Sequence, residues 1–306
     1  DAPVTGGARD TAVAMLALHA RRSRAAIAGW KRAHPDRALV VALTGTDLYR
    51  DVPAGDADAL ASIAEADRLV VLQEDALRHL PAVRRPYASV VVQSARTLVP
   101  WARKSATHLN AILVGHLRDE KDPRTALAAW RMLPSDVPAT LTIVGGALDP
   151  AIADDVRAAA AVDSRVRWLG ARSHAWTRQA IRRAHVLIVA SRMEGGANVV
   201  AEALASGTPV IGTRMSGNLG MLGADYPGYF EVGDAAGLAS AIARAARDRR
   251  WLASLARCAE RRARMTTPAA EAASIADAVE AAIAGATGKI PGFPAKARGP
   301  RANAPT

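Results

Sequence analysis

Short apolar runs alternate along the chain with segments that repeat every three to four residues, as strands alternating with helices do. In the first third the runs are 13–18, 39–43, 68–72 and 89–92, separated by a basic amphipathic stretch at 21–34 and a short helix at 56–66. The segment 94–108 breaks this rhythm, with Pro100 and no period, and is read as the crossing between two domains. The alternation then restarts. Strands are predicted at 109–114, 141–144, 166–169, 186–189, 209–211 and 229–232, and helices at 123–133, 150–161, 174–184 and 197–205. Three further helices, at 234–246, 248–265 and 268–284, close the pattern. Runs that are apolar on both faces belong to parallel strands covered by helices on two sides. The expected architecture is therefore α/β, two doubly wound Rossmann-like domains facing a cleft, with ligands at the carboxyl ends of the strands. The boundaries fall at 1–103 for an N-terminal acceptor-side domain and 104–284 for a C-terminal nucleotide-binding domain. A basic tail rich in Pro, Gly and Ala follows at 285–306 and is expected to be disordered.

Composition narrows this only in part. Half of the residues are hydrophobic and 23% are charged, a globular balance. No apolar run approaches the ~18 residues of a transmembrane helix, and the first ten residues carry no signal-peptide pattern. One cysteine, Cys258, leaves no internal disulfide and no cysteine-based metal site. A soluble cytoplasmic protein is expected, with no stable membrane association. The net charge of +11 raises nucleic acid as a partner. The excess is nearly all Arg, spread along the chain and concentrated in 244–264 and the tail, while aromatic residues for stacking on bases make up only 4%. Attraction of small, phosphate-bearing substrates explains the charge more simply, and no nucleic-acid partner is expected.

The chemistry concentrates in the run Ser191-Arg-Met-Glu-Gly-Gly-Ala-Asn-Val-Val-Ala-Glu202, which follows a buried strand and opens a helix. Gly195 and Gly196 let a ligand approach the backbone, and N–H groups at a helix start attract anions. Glu194 precedes the helix and Glu202 lies two turns inside it. Two separated carboxylates that flank a phosphate cradle suit a molecule with hydroxyls at both ends, which is the layout of a nucleotide sugar. An ordinary surface loop with a solvated Glu is the competing reading. It does not account for the glycine pair or for the Ser206-Gly-Thr-Pro209 exit into the next strand.

This run resembles the signature of the family 4 glycosyltransferases of GT-B fold: Glu-Gly-Gly, seven residues between two Glu, then Ala-Ser-Gly-Thr-Pro-Val-Ile. The resemblance implies that Glu194 holds the donor sugar, Glu202 the ribose, and the backbone of Gly195, Gly196, Asn198 and Val199 the diphosphate. A second motif, Val114-Gly-His-Leu-Arg-Asp-Glu-Lys-Asp-Pro123, sits at the first strand-to-helix turn of the second domain. The family has Gly-Arg-Leu followed by Glu-Lys there, with Arg and Lys neutralising the diphosphate. Lys121 matches, His116 stands where the Arg is expected, and Arg118 is the alternative guanidinium beside Gly115. Fixed cations stabilise a leaving diphosphate without a metal, so neither metal nor cofactor is expected. Gly145, in Ile143-Val-Gly-Gly146, completes the donor-side candidates.

The first domain offers the acceptor side. His19 lies at a strand end, where the family often carries a functional His, and Thr44, Gly45, Thr46 and Asp47 lie at the next. A structural His and a helix-capping turn remain the alternatives for these two loops. Leu-Thr-Gly-Thr-Asp-Leu-Tyr-Arg-Asp51, Ala66-Asp-Arg-Leu-Val-Val-Leu-Gln73 and the His116 motif together resemble the selenosugar synthases of selenoneine biosynthesis. That resemblance implies transfer from UDP-N-acetylglucosamine or UDP-glucose to selenophosphate, giving a 1-selenosugar, with His19 and Glu194 as the catalytic pair. Arg21 and Arg22 beside His19 suit such an acceptor. A general family 4 enzyme acting on a carbohydrate or lipid hydroxyl, a nucleotide-sugar epimerase and a binding protein without turnover stay open. GT-B domains begin with a strand and a Gly-rich turn, and nothing before Val13 offers either. The opening unit of the first domain is therefore expected to be missing.

Overall fold

The computed structural model describes residues 11–287. The tail read as disordered, apart from its first residues, lies outside them. The first sheet holds four parallel strands in sequential order: β1 (Ala14–Leu18), β2 (Ala38–Ala42), β3 (Arg68–Val71) and β4 (Ala88–Val90). Helices α1 (Arg24–Ala33) and α2 (Ala57–Glu65) cover one face, where Ile27 and Ile63 pack with Leu39, Val41, Leu69 and Val71. Asp56 starts α2 by accepting the N–H of Ala59. Two short 3-10 helices, Glu74–His79 and Ala82–Tyr87, link β3 to β4.

The second sheet has six parallel strands: β5 (Leu109–Val114), β6 (Ala139–Val144), β7 (Val166–Trp168), β8 (Val186–Val189), β9 (Val210–Thr213) and β10 (Tyr229–Phe230). Their order is β10-β9-β8-β5-β6-β7, so the chain grows outward from β5 in both directions. The crevice between β5 and β8 is the switch point at which such sheets bind ligands. Seven helices flank the sheet: α3 (Pro123–Met132), α4 (Pro150–Val162), α5 (His174–Arg183), α6 (Asn198–Leu204), α7 (Ser216–Leu222), α8 (Ala235–Arg247) and α9 (Arg249–Ala263). Side-chain caps from Asp122, Asp149, Ser173, Asp234 and Asp248 set where five of them begin. Pro123 and Pro150 occupy first turns, where no N–H is required. Trp130 fills the core at 1% exposure. Among the described residues no helix is long and apolar enough to cross a membrane.

The last helix, α10 (Pro268–Thr287), departs from the sequence reading, which counted it with the second domain. It lies on the open face of the first sheet, where Ala278 and Ala282 pack against Ala38, Val40, Ala42 and Val70. Alanines let the helix sit close to the pleated face that α1 and α2 leave bare, which explains why every residue of β2 is buried. The chain thus crosses between domains twice. The crossings are tied together: Ser94 bonds Glu271 through its N–H (3.0 Å) and hydroxyl (2.5 Å), and Ala95 N–H donates to Thr266 O (3.0 Å).

Candidate active site

Two cavities open where the strand ends of the two sheets face each other. The larger, about 510 Å³, lies over the ends of β5 and β6 and the start of α6. Gly115 and Gly145 form its floor. A Cβ at Gly145 would stand 1.9 Å from the oxygen of Gly115, and Gly145 has φ of +155°, so no other residue fits. Trp168 Nε1–H holds the Gly145 carbonyl at 2.9 Å.

His116 takes part in this floor. Its Nδ1 accepts the N–H of Gly146 at 3.0 Å, which leaves the proton of the neutral ring on Nε2. The imidazole is thereby oriented as a donor by the loop after β6. Arg118 lines the cavity, and its one ion pair among the described residues is a long one, 3.8 Å to Glu120. Lys121 Nζ bonds Glu194 Oε1, which also accepts from Ser191 Oγ at 2.7 Å. Glu194 is therefore held from two sides, one of them the strand end after β8. At the start of α6, Ala197 offers no side-chain cap, and Asn198 and Val199 line the cavity. At the far end Glu202 is bonded to Nε2 of His174 at 2.6 Å. Sequence reasoning missed His174, because the pair joins residues 28 apart on different helices.

The smaller cavity, about 320 Å³, is lined by His19, Arg22, Thr44, Gly45 and Thr46 from the first domain. Arg118, Glu120 and the 193–196 loop line it from the second. Arg118, Glu194 and Gly196 are common to both cavities, so Glu194 stands where they meet. The sequence-derived donor and acceptor residues thus gather around one carboxylate.

His19 adopts a left-handed backbone, φ 73°, uncommon for a non-glycine residue. This turn brings Nδ1 to within 2.7 Å of Asp47 Oδ1 and Nε2 to within 2.8 Å of Thr46 Oγ1. Asp47 is fully buried, and its other oxygen accepts the N–H (2.8 Å) and hydroxyl (3.1 Å) of Thr44. The result is a chain from carboxylate to imidazole to hydroxyl. Burial is the main cause that lowers the His19 pKa, with Asp47 opposing it and Arg22 lowering it further. The lowered pKa favours the neutral ring, with Nδ1–H donated to Asp47 and Nε2 accepting from the Thr46 hydroxyl.

The glycine pair has a second role. A Cβ on Gly195 would come within 2.4 Å of Gly45 N, and a Cβ on Gly45 within 2.6 Å of Gly195 N. Here the loops of the two domains touch backbone to backbone. Gly196 lies as tightly against Leu72, with a Cβ placed 2.7 Å from the Leu72 Cβ. Beside them the fully buried Gln73 donates to Tyr49 Oη (3.0 Å) and Ser216 Oγ (3.3 Å), and Tyr49 Oη donates to Ser216 Oγ (2.9 Å). The sequence signalled the need for glycine at 195 but not this interdomain cause.

Among the described residues, His19, Asp47 and Asp51 form the one group whose ligand atoms, all within 4.8 Å, could share a cation. Arg50 (2.9 Å) and Arg21 (3.7 Å) already approach Asp51, and Asp47 is committed to His19 and Thr44. That donor set is better matched to a proton network than to a metal.

The order of the strands, the facing sheets and the return of α10 make this the GT-B fold of glycosyltransferases. Residues 109–248, most of the second domain, match the family model described as "Glycosyl transferases group 1". Three solved structures carry the likeness over most of the chain. HepE of Anabaena in complex with UDP and glucose has 15% identity and a TM-score of 0.72, covering 88% of this chain and 78% of that one. Sucrose-phosphate synthase of Thermosynechococcus elongatus has 21% identity and a TM-score of 0.71, covering 87% and 72%. The lipopolysaccharide outer core galactosyltransferase WaaB, in its apo form, has 16% identity and a TM-score of 0.66, covering 89% and 76%. No curated protein sequence matches the chain significantly.

Proposed function

We propose that the protein transfers a sugar from a UDP-sugar, UDP-N-acetylglucosamine or UDP-glucose, to selenophosphate, as the selenosugar synthases of family 4 do. The observation that carries the reading is the pair of cavities meeting at Glu194. The larger takes the donor. Its ribose lies by Glu202, its diphosphate by Lys121, His116 and the start of α6, and its sugar by Glu194. HepE, similar in fold, was solved with UDP-glucose. The smaller takes the acceptor. Its 320 Å³ suits a small molecule, and Arg22 enters it with no carboxylate partner among the described residues. Together with Arg118 it provides charge for an anion.

In this reading selenium forms a bond to the anomeric carbon as the bond from that carbon to the diphosphate oxygen breaks. UDP leaves with the electron pair, its charge met by Lys121 and the His116 Nε2–H rather than by a metal. Water then takes the phosphoryl group and the 1-selenosugar remains. Selenophosphate is already a nucleophile, so His19 has only to position its phosphate and need not deprotonate it.

A hydroxyl acceptor, as in the wider family, is the second reading. The Asp47–His19–Thr46 chain favours it, since a neutral imidazole backed by a carboxylate is arranged to take a proton from an alcohol. UDP release from each donor, with EDTA present, separates the two. Release that requires selenophosphate and disappears in Glu194→Ala supports the first. Release that instead requires an added sugar alcohol and disappears in His19→Gln supports the second. Tight UDP binding without release under any of these conditions overturns both as statements of turnover.

A further inference from the structure

The donor cavity does not end in a wall. Behind Glu202 lies another cavity of about 490 Å³, between the 94–98 segment and α5, and among the described residues the two share His174 and Glu202. His174 is the first residue of α5, fixed there by the Ser173 cap, and its ring reaches across to α6. Its side chain is 76% exposed while that of Glu202 is only 13% exposed. An exposed imidazole gains little from a surface ion pair. Its partner gains more, because a largely buried carboxylate needs its oxygens satisfied.

The second cavity holds a competitor for that carboxylate. Arg178 is 7% exposed and lines this cavity with Glu202. Its NH2 group donates to the Arg96 carbonyl (2.5 Å) and the Ser206 hydroxyl (3.4 Å), and its buried Nε has no partner among the described residues. Burial lowers its pKa and the charge of Glu202 is the one influence that raises it. A buried cation without a carboxylate attracts the nearest one. His174 bonds the same carboxylate from the other side.

We infer that His174 is a positioning residue for donor recognition. It holds the Glu202 carboxylate toward the ribose, so the site reads the ribose hydroxyls and discriminates against 2′-deoxyribonucleoside diphosphates. This rests on the reading of the larger cavity as a UDP-sugar site. A carboxylate held in place accepts hydroxyl protons in charge-assisted bonds, and each such bond lost costs roughly tenfold in affinity.

The test is calorimetric binding of UDP and of 2′-deoxy-UDP to the full chain, which needs no acceptor and no turnover. The unaltered protein is expected to prefer UDP by about tenfold or more. His174→Ala should lose about tenfold for UDP and almost nothing for 2′-deoxy-UDP, so that the preference collapses. His174→Gln, whose amide N–H can donate to Glu202, should restore most of it. In a Glu202→Ala background His174→Ala should add no further loss. Parent-like preference in His174→Ala, equal losses for both nucleotides, or an undiminished effect in the Glu202→Ala background would each overturn the inference while leaving the donor site standing. Equal affinity of the unaltered chain for both nucleotides overturns it too. A chain that binds neither nucleotide removes the donor reading itself.

Discussion

Replacing Gly195 by Ala should separate substrate binding from turnover. The added Cβ would lie 2.4 Å from Gly45 N and 3.0 Å from the Thr44 carbonyl carbon. Ordinary contact begins near ~3.5 Å, so the two loops must part by about 1 Å. All the atoms nearest to that Cβ are backbone, and no side chain can yield in their place. Thr44 and Thr46 belong to the loop that moves, and His19 is bonded to it, whereas Lys121 and Glu202 are not. A shift of about 1 Å between reacting groups costs on the order of 100-fold in rate, or about 2.7 kcal/mol. UDP release should therefore fall about 100-fold in kcat/KM while UDP affinity, measured separately, stays within about threefold. Gly29→Ala is the control, since its Cβ meets nothing within 4 Å and Ala favours the helix. A Gly195→Ala protein with parent-like turnover would refute the closed contact as a working geometry. An equal loss in UDP affinity would show that the glycine serves the donor alone.

Three further outcomes are expected. Gly145→Ala must clash with Gly115 and strain its backbone, lowering the stability of the second domain by about 3 kcal/mol, seen as a lower denaturant midpoint. His19 has its pKa lowered below the ordinary 6.5, so the unfolded chain binds the extra proton more readily. Its contribution is nil above pH 6.5, turns into a growing loss as the pH falls from 6.5, and levels off below the folded value. His19→Gln should flatten the stability profile in that window, and an unchanged slope would reject the assignment. Ala282→Asp buries an unpaired charge under the first sheet and should cost about 4 kcal/mol or more. Limited proteolysis should then cut within 11–93 while 109–263 stays protected.

Much of the fold could be read from the pattern of residues. The strands of both sheets are apolar runs because helices cover both faces, and this signal is local. The break at 94–108 is local as well, and it does join the two sheets. The position of α10 is not local: its polar residues, Glu271, Asp277 and Glu280 among them, are too few and too scattered to show which sheet it serves, and only the bare side of β2 decides it. The 3-10 turns after β3 and the short α7 escaped notice for want of a periodic stretch. At the site, Glu194, Lys121, Glu202, His19 and the Thr44–Asp47 loop carried signals in residue type and spacing. What escaped were relations between distant residues. His174 meets Glu202 across 28 positions, Gly195 owes its lack of a side chain to Gly45 on another domain, and the tautomer of His116 is set by the N–H of Gly146.

The return of α10 also shapes how the cleft can work. Because the two crossings run side by side and are bonded to each other, the domains are joined by a double strap and not by a single tether. Twisting would stretch one strap against the other, whereas rocking about the line between them strains neither. The freedom left to the molecule is close to that of a door on two hinge pins: a single angle that opens and shuts the gap between Gly45 and Gly195. The first leaf is not one continuous stretch of chain, so cutting the protein at residue 103 would strip it of its backing helix and not release a free-standing half.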